Sequence, residues 1–267
     1  MLTIMVRDGV SALGDSYALP PFKWMALPSS GNWGGTHVLN VMQMNASPGF
    51  LADDQLFGEI TLERGASLHL HTQSFARVLS MDEGQRAEQH LKIHLEQGSR
   101  LCFVGHPLVL HVGADFRQYT QIHMAEDCEL IWGEIVTSGR RLNDEHFAFA
   151  RLSAQTRIYV KEQIELLDNI QWQPDKCNLS ALGQMERFSH QAGLYYVNSM
   201  ARFSGRALYE SLARYLDEQH HLYGCHLLMG VSMPSPSLLV VRGLAHHAEL
   251  LQDILAHCRH IMQHLSV

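Results

Sequence analysis

The 267-residue sequence predicts a mainly β protein. Its body is expected to be superhelical and β-helix-like, built of stacked β-hairpin units, with a C-terminal βαββα segment that contains two helices. Three observations predict this. A strand–turn–strand pattern recurs three times between about residues 58 and 135. No helical stretch separates the copies, which argues against a doubly wound βαβ sheet. Helical periodicity appears only after about residue 180.

Residues 1–50 are dense in turn formers: Pro20-Pro21, Pro28-Ser-Ser-Gly31, Asn32-Trp-Gly-Gly35 and Ser47-Pro-Gly49. The chain therefore opens on loops with short strands between them, such as Val38–Met42. The repeat follows as Ile60–Leu70, Ile93–Phe103 and Ile122–Trp132. Gly65, Gly98 and Asp127 sit in the three turns, 33 and 29 residues apart. A positive φ there suits glycine, and aspartate tolerates it. The copies stack either as β-coils or as a long antiparallel sheet. Their apolar columns are Ile60/Ile93/Ile122, Leu62/Leu95/Met124, Leu68/Leu101/Leu130 and Leu70/Phe103/Trp132. Alternation puts His69, His71, Lys92, His94 and His123 on the other side.

Strands continue through Phe147–Leu152 and Arg157–Glu162. In the tail, Leu194–Val197 reads as a strand. Ser204-Gly205 opens a helix with Leu208, Leu212, Tyr215 and Leu216 on one face, and Gly224 ends the connection after it. Cys225–Val231 and Ser237–Val241 form a hairpin around Pro234-Ser-Pro236, and a last helix runs from about 244 to 264. No Gly/Ser linker divides the chain. It reads as a single domain over 1–267, with a β body over 1–180 and the tail packed on it over 181–267.

Composition narrows the function classes. The chain is 46% apolar and 18% charged, with 20 Lys plus Arg against 27 Asp plus Glu. A net charge of −7 argues against a general nucleic-acid binder. No apolar run is long enough to span a membrane as a helix. The apolar start meets Asp8 early and lacks a basic flank, so no secretory leader is expected and the cytoplasm is the expected location. Five dispersed cysteines without a CxxC suggest reduced thiols. The P-loop, G-x-S-x-G and H-E-x-x-H patterns are all missing.

Histidine is the compositional outlier, at 18 residues, with 12 Met beside it. Imidazole and thioether suit later transition metals. On the last helix His246, Asp253, His257, His260 and His264 fall within about 60° of one another, opposite the apolar stripe. That face is either a polar surface that happens to use histidine or a set of metal ligands at i, i+3 and i+4 spacing.

Three segments read as functional: Ser47–Asp54, Thr72–Arg77 and Trp132–Phe147. Glu134 follows the core residue Trp132 by two, so alternation points it inward. A buried carboxylate must be paired, protonated or set on a wet channel. The structural alternative is an ion pair of Glu134 or Glu145 with Arg140.

These segments, in this order, resemble the urease accessory protein family called UreD, or UreH. The matching residues run from Pro20-Pro-Phe-Lys23 through Ser47-Pro-Gly49, Asp54, Thr72-Gln-Ser74, Pro107, Glu134-Ile135, Gly139-Arg140, Glu145 and Phe147 to Leu238-Leu-Val-Val-Arg242. Two departures stand out: Asp53 and Asp144 replace glycines that usually precede the matching Asp54 and Glu145.

The resemblance implies a non-enzymatic chaperone that docks on apo-urease, with a superhelical β fold and two helices. It also implies partnership with the helical accessory protein UreF and, through it, the GTPase UreG. Nickel would pass transiently from the GTPase through an internal water-filled tunnel. On that basis Asp54, Thr72, Ser74, Glu134 and Glu145 are the expected tunnel lining, with Arg140 orienting a carboxylate. No nucleic-acid or membrane partner is implied. The competing expectation is a β-helix carbohydrate-active or ester hydrolase using Asp54 and Glu134 as an acid/base pair.

Overall fold

The computed structural model describes residues 1–29, 31–200 and 203–265. Ser30, within the turn-forming run Pro28–Gly31, and residues 266–267 of the single-domain span lie outside the described residues.

The chain enters through β1 (Leu2–Arg7), β2 (Val10–Ser16), β3 (Phe22–Leu27), β4 (Asn32–Trp33), β5 (Thr36–His37) and β6 (Leu39–Asn45). The repeat supplies β7 (Gln55–Leu62), β8 (Ser67–Thr72), β9 (Ala76–Val78), β10 (Ala87–Leu95), β11 (Arg100–Val104), β12 (Leu108–Leu110), β13 (Asp115–Met124) and β14 (Glu129–Thr137). It continues as β15 (Arg151–Val160) and β16 (Gln163–Trp172). The tail is β17 (His190–Asn198), α1 (Arg206–Tyr223), β18 (Leu227–Ser235), β19 (Leu238–Ala245) and α2 (Ala248–Leu265), the expected β-α-β-β-α order.

The copies stack as coils. The two arms of one copy do not pair with each other; they belong to two facing sheets. The first sheet runs β16-β15-β13-β10-β7-β1-β2-β5-β4, and the second runs β18-β19-β17-β14-β11-β8-β6-β3. Within each sheet, equivalent arms pair in parallel and in register. Ile60, Ile93, Ile122 and Ile158 form one rung and Leu62, Leu95, Met124 and Val160 another. Across the gap, Leu68, Leu101 and Leu130 align, as do Leu70, Phe103 and Trp132. These columns fill the space between the sheets as one apolar cluster. The turns take the positive φ expected of them: 74° at Gly65, 76° at Gly98 and 58° at Asp127.

A second cluster lies outside the second sheet, where Ile131, Ile135, Leu194, Tyr196 and Leu239 meet Leu208, Leu212 and Leu216 of α1 and Leu251, Leu255 and Cys258 of α2. The second sheet is therefore apolar on both faces, as a sheet covered by helices must be.

Several expected boundaries move. The run 147–162 is not two strands: residues 147–150 lie outside any strand, and β15 and β16 follow as a ten-residue antiparallel pair. The last helix starts at Ala248 rather than 244, because Leu244 is held in the ladder between Gln191 and Leu228. His246 therefore leaves the helical histidine face. The histidines read as one polar face divide between two. Lys92, His94 and His123 point outward from the first sheet, whereas His69 and His71 lie outside the second, near α2.

His69 accepts a hydrogen bond at Nε2 from Arg259 of α2 at 2.7 Å. Burial, then the neighbouring His71 and Arg259, push its pKa down to about 3. The imidazole is neutral in the fold and protonates in the unfolded chain below about pH 6.5. Its contribution to stability is thus complete above that pH and declines as pH falls toward 3. Replacing His69 with Gln, which keeps an acceptor, flattens that acid limb; urea midpoints measured from pH 7 to pH 4 check this. In the same assay Ile122→Ala lowers stability by about 2–5 kcal/mol. The outward neighbour Gln121→Ala changes it by roughly 0.5 kcal/mol at most.

Candidate functional site

The apolar columns give way to polar residues at the same inward parity. On β10 and β13 the positions before Ile93 and Ile122 bring Gln89 and Gln118 into register, and Thr120 lies level with Thr156 of β15. Here the two sheets enclose a cavity of about 520 Å³. Its outer end is lined by the exposed residues Tyr17, Leu19, Ser74 and Phe75, and its inner wall by Gln118, Thr120, Trp132, Glu134 and Ala154.

Glu134 stands on β14 with its carboxylate turned into this space. Gln118 Nε2 donates to Oε1 at 2.8 Å and Thr156 Oγ1 donates to Oε2 at 3.4 Å. Burial pushes its pKa up to about 7, and the nearby charge of Asp168 acts in the same direction. The contrast on the same strand is Glu129, on the opposite face. Burial also raises that group to about 7, but it has Arg100 at 3.5 Å and Asn198 donating at 3.2 Å. Glu134 forms no ion pair among the described residues. Of the expected alternative, an ion pair of Glu134 or Glu145 with Arg140, only the Glu145 form is made.

Beyond Glu134 the polar track continues across the sheets. Thr156 pairs across strands with Asp168 of β16, and Glu134 and Arg242 both lie opposite Gly193 of β17. Asp168 accepts from the Tyr195 hydroxyl and from Arg242, whose Nη2 is 2.7 Å from Oδ1. Gly193 is required here: a Cβ would lie 2.6 Å from the Tyr195 hydroxyl. The Arg242 side chain is 48% exposed, so the track reaches the surface on that side.

The six expected residues divide into two groups. Thr72, Ser74 and Glu134 line the one cavity. Thr72 sits at the end of β8 with its hydroxyl paired to His106 Nδ1 at 2.7 Å, while Ser74 is exposed near the outer end. Asp54 is elsewhere. Its Oδ2 accepts the Leu51 backbone N–H at 2.8 Å, so it closes the turn before β7 and does not face the lumen. Glu145 and Arg140 also lie off the cavity. They form a two-pronged ion pair, with Nε to Oε2 at 2.9 Å, which staples the loop after β14 and holds the Glu145 carboxyl below its usual range. Asp53 and Asp144 adopt φ of 66° and 58°, the backbone conformation a glycine would otherwise supply.

Asp54 and Glu134 are therefore not presented in a common cleft, which removes the acid/base pair of the hydrolase reading. Sequence reasoning missed Gln118, Thr156 and Asp168. The first two carried a signal, as polar residues at inward parity four before Ile122 and two before Ile158. Among the described residues no group of three or more His, Cys, Asp or Glu is spaced to hold a metal ion. No described helix is long and apolar enough to cross a membrane.

Glu134 resists ionisation, so it lowers stability as pH rises from about 4.5 through 7. Glu134→Gln is expected to be more stable than the parent at pH 7.5, by on the order of 2 kcal/mol, with the gain vanishing near pH 4.5. Paired urea titrations across that range check the sign.

Comparison with known proteins gives a consistent result. The family described as UreD urease accessory protein matches residues 1–266. A protein named urease accessory protein UreD from Actinobacillus pleuropneumoniae serotype 5b is 43% identical over 254 residues, covering 94% of this chain and 92% of the relative. One of the same name from Haemophilus influenzae strain Rd is 42% identical over 259 residues, covering 95% and 97%.

Proposed function

This chain belongs to the UreD urease accessory protein family, and on that premise we propose that it acts in urease maturation as a non-enzymatic scaffold with a conduit for nickel. In this reading it docks on apo-urease, binds the helical partner UreF and through it receives nickel from the GTPase UreG. The metal is cargo, held transiently. All five cysteines are free thiols, which suits the reducing cytoplasm where we place this work.

The observation that carries the reading is Glu134, a carboxylate facing an internal cavity with neutral donors and no cationic partner. A conduit must admit an ion without trapping it. With a pKa raised to about 7, the Glu134 carboxyl must give up its proton to take a cation, and near neutral pH that exchange is close to balanced. Oxygen ligands such as Thr72, Ser74 and the amide oxygen of Gln118 add weak, hard donors along the wall. Gln118 and Thr156 orient the carboxylate through their hydrogen bonds. Asp54, Glu145 and Arg140 serve the proposal indirectly, by fixing the loops around the lumen.

Glu134→Ala is expected to reduce urease activation by about tenfold or more, the scale on which losing a metal-site residue or its support acts. The complex with UreF, UreG and urease should retain its composition on gel filtration. Loss of assembly together with activity would point to a structural role instead.

A further inference from the structure

Three histidine groupings lie outside the cavity. On the first sheet His94 and His123 stack nearly face to face at 5.3 Å, with His123 also against Tyr159 and 3.5 Å from Glu162. Among the described residues neither ring has a hydrogen bond that fixes which nitrogen is left free. On the second sheet His69 and His71 sit beside the Arg259 guanidinium, which repels a cation. The third grouping is on α2, and it differs from both.

His260 and His264 are exposed, one helical turn apart, with ring centroids 4.0 Å apart and planes tilted by 40°. His264 Nδ1 lies 2.9 Å from the backbone carbonyl of His260. A carbonyl only accepts, so Nδ1 carries the proton and the Nε2 lone pair is left outward. That is the second-sphere contact by which metal-binding imidazoles are usually fixed in tautomer and orientation. The opposite face of α2 is anchored by Leu251, Ile254, Leu255, Cys258 and Met262, so the pair is displayed on a packed element.

We propose that His260 and His264 form a two-imidazole surface site for later first-row divalent cations such as Ni²⁺, Cu²⁺ and Zn²⁺. Such an ion takes one in-plane bond of about 2.0–2.1 Å from a nitrogen of each imidazole. Water completes the coordination, so the ion exchanges readily. Imidazole donors rank these metals above Mn²⁺ and exclude Mg²⁺ and Ca²⁺ in practice. His257 stands outside the pair: its ring lies 6.3 Å from His260 and stacks on Tyr215 of α1 at 4.2 Å. The site is separate from the cavity and does not depend on what the cavity conducts.

The test is calorimetric titration of the full chain with NiCl₂, in parent, His260→Gln, His264→Gln and His257→Gln forms. Either substitution within the pair is expected to weaken one binding event by about tenfold or more, because the second imidazole binds intramolecularly. His257→Gln should leave it in place. A second readout needs no variant: Ni²⁺ should protect His260 and His264 from carbethoxylation, mapped by mass spectrometry, while Mg²⁺ should not. Equal binding in all four forms, or protection at His94, His123, His69 or His71 instead, overturns the proposal.

Discussion

The in-register parallel stacking of the repeat is the constraint on which everything else depends. Ile60, Ile93, Ile122 and Ile158 come from loops of unequal length, yet they occupy one rung. A slip of one residue in any coil would turn its whole apolar set outward. Because the rungs are fixed by the isoleucine and leucine columns, the residues at the same parity further along each strand have no choice of side. Gln89, Gln118, Thr120, Thr156 and Glu134 are carried to the interior by their neighbours. The cavity is thus a consequence of register, a place where the inward columns change from apolar to polar between two well-packed clusters.

Electrostatics then separates two carboxylates on a single strand. Glu129 and Glu134 are five residues apart, so they face opposite sides of β14. Both resist ionisation because they are buried. Glu129 is compensated by Arg100 and accepts a hydrogen bond from Asn198. Glu134 has neutral donors, the amide of Gln118, the hydroxyl of Thr156 and the Trp132 indole, with Asp168 adding a second negative charge nearby. Among the described residues no cationic side chain pairs with Glu134. The Asp168–Tyr195–Arg242 cluster marks where the polar track reaches the far edge, with Arg242 supplying the compensating charge only there.

Much of this was legible in the sequence. The four apolar columns, the positive-φ turns and the order of the tail follow from alternation and helical periodicity, which are local. The partition of each copy between two sheets is not local, since alternation gives the face of a strand but not its neighbour. β16 escaped notice because its inward set, Leu166, Asp168, Ile170 and Trp172, is interrupted by an acidic residue whose partner Arg242 is remote in sequence. For the same reason Asp54 and Glu145 read as lumen residues: matching positions mark them, but only the fold shows that one closes a turn and the other pairs with Arg140. Glu134 was readable because Trp132 fixed its parity.

Passage of the ion through the lumen itself is tested most directly by narrowing the lumen without removing a ligand. Ala154 projects into the inner wall level with Gln118. The measurement is the nickel content of urease matured with Ala154→Leu, in complexes first shown to have the parent composition. Conduction through the cavity predicts that nickel per urease site falls well below the parent value. Nickel loading at the parent level through a narrowed lumen would contradict it.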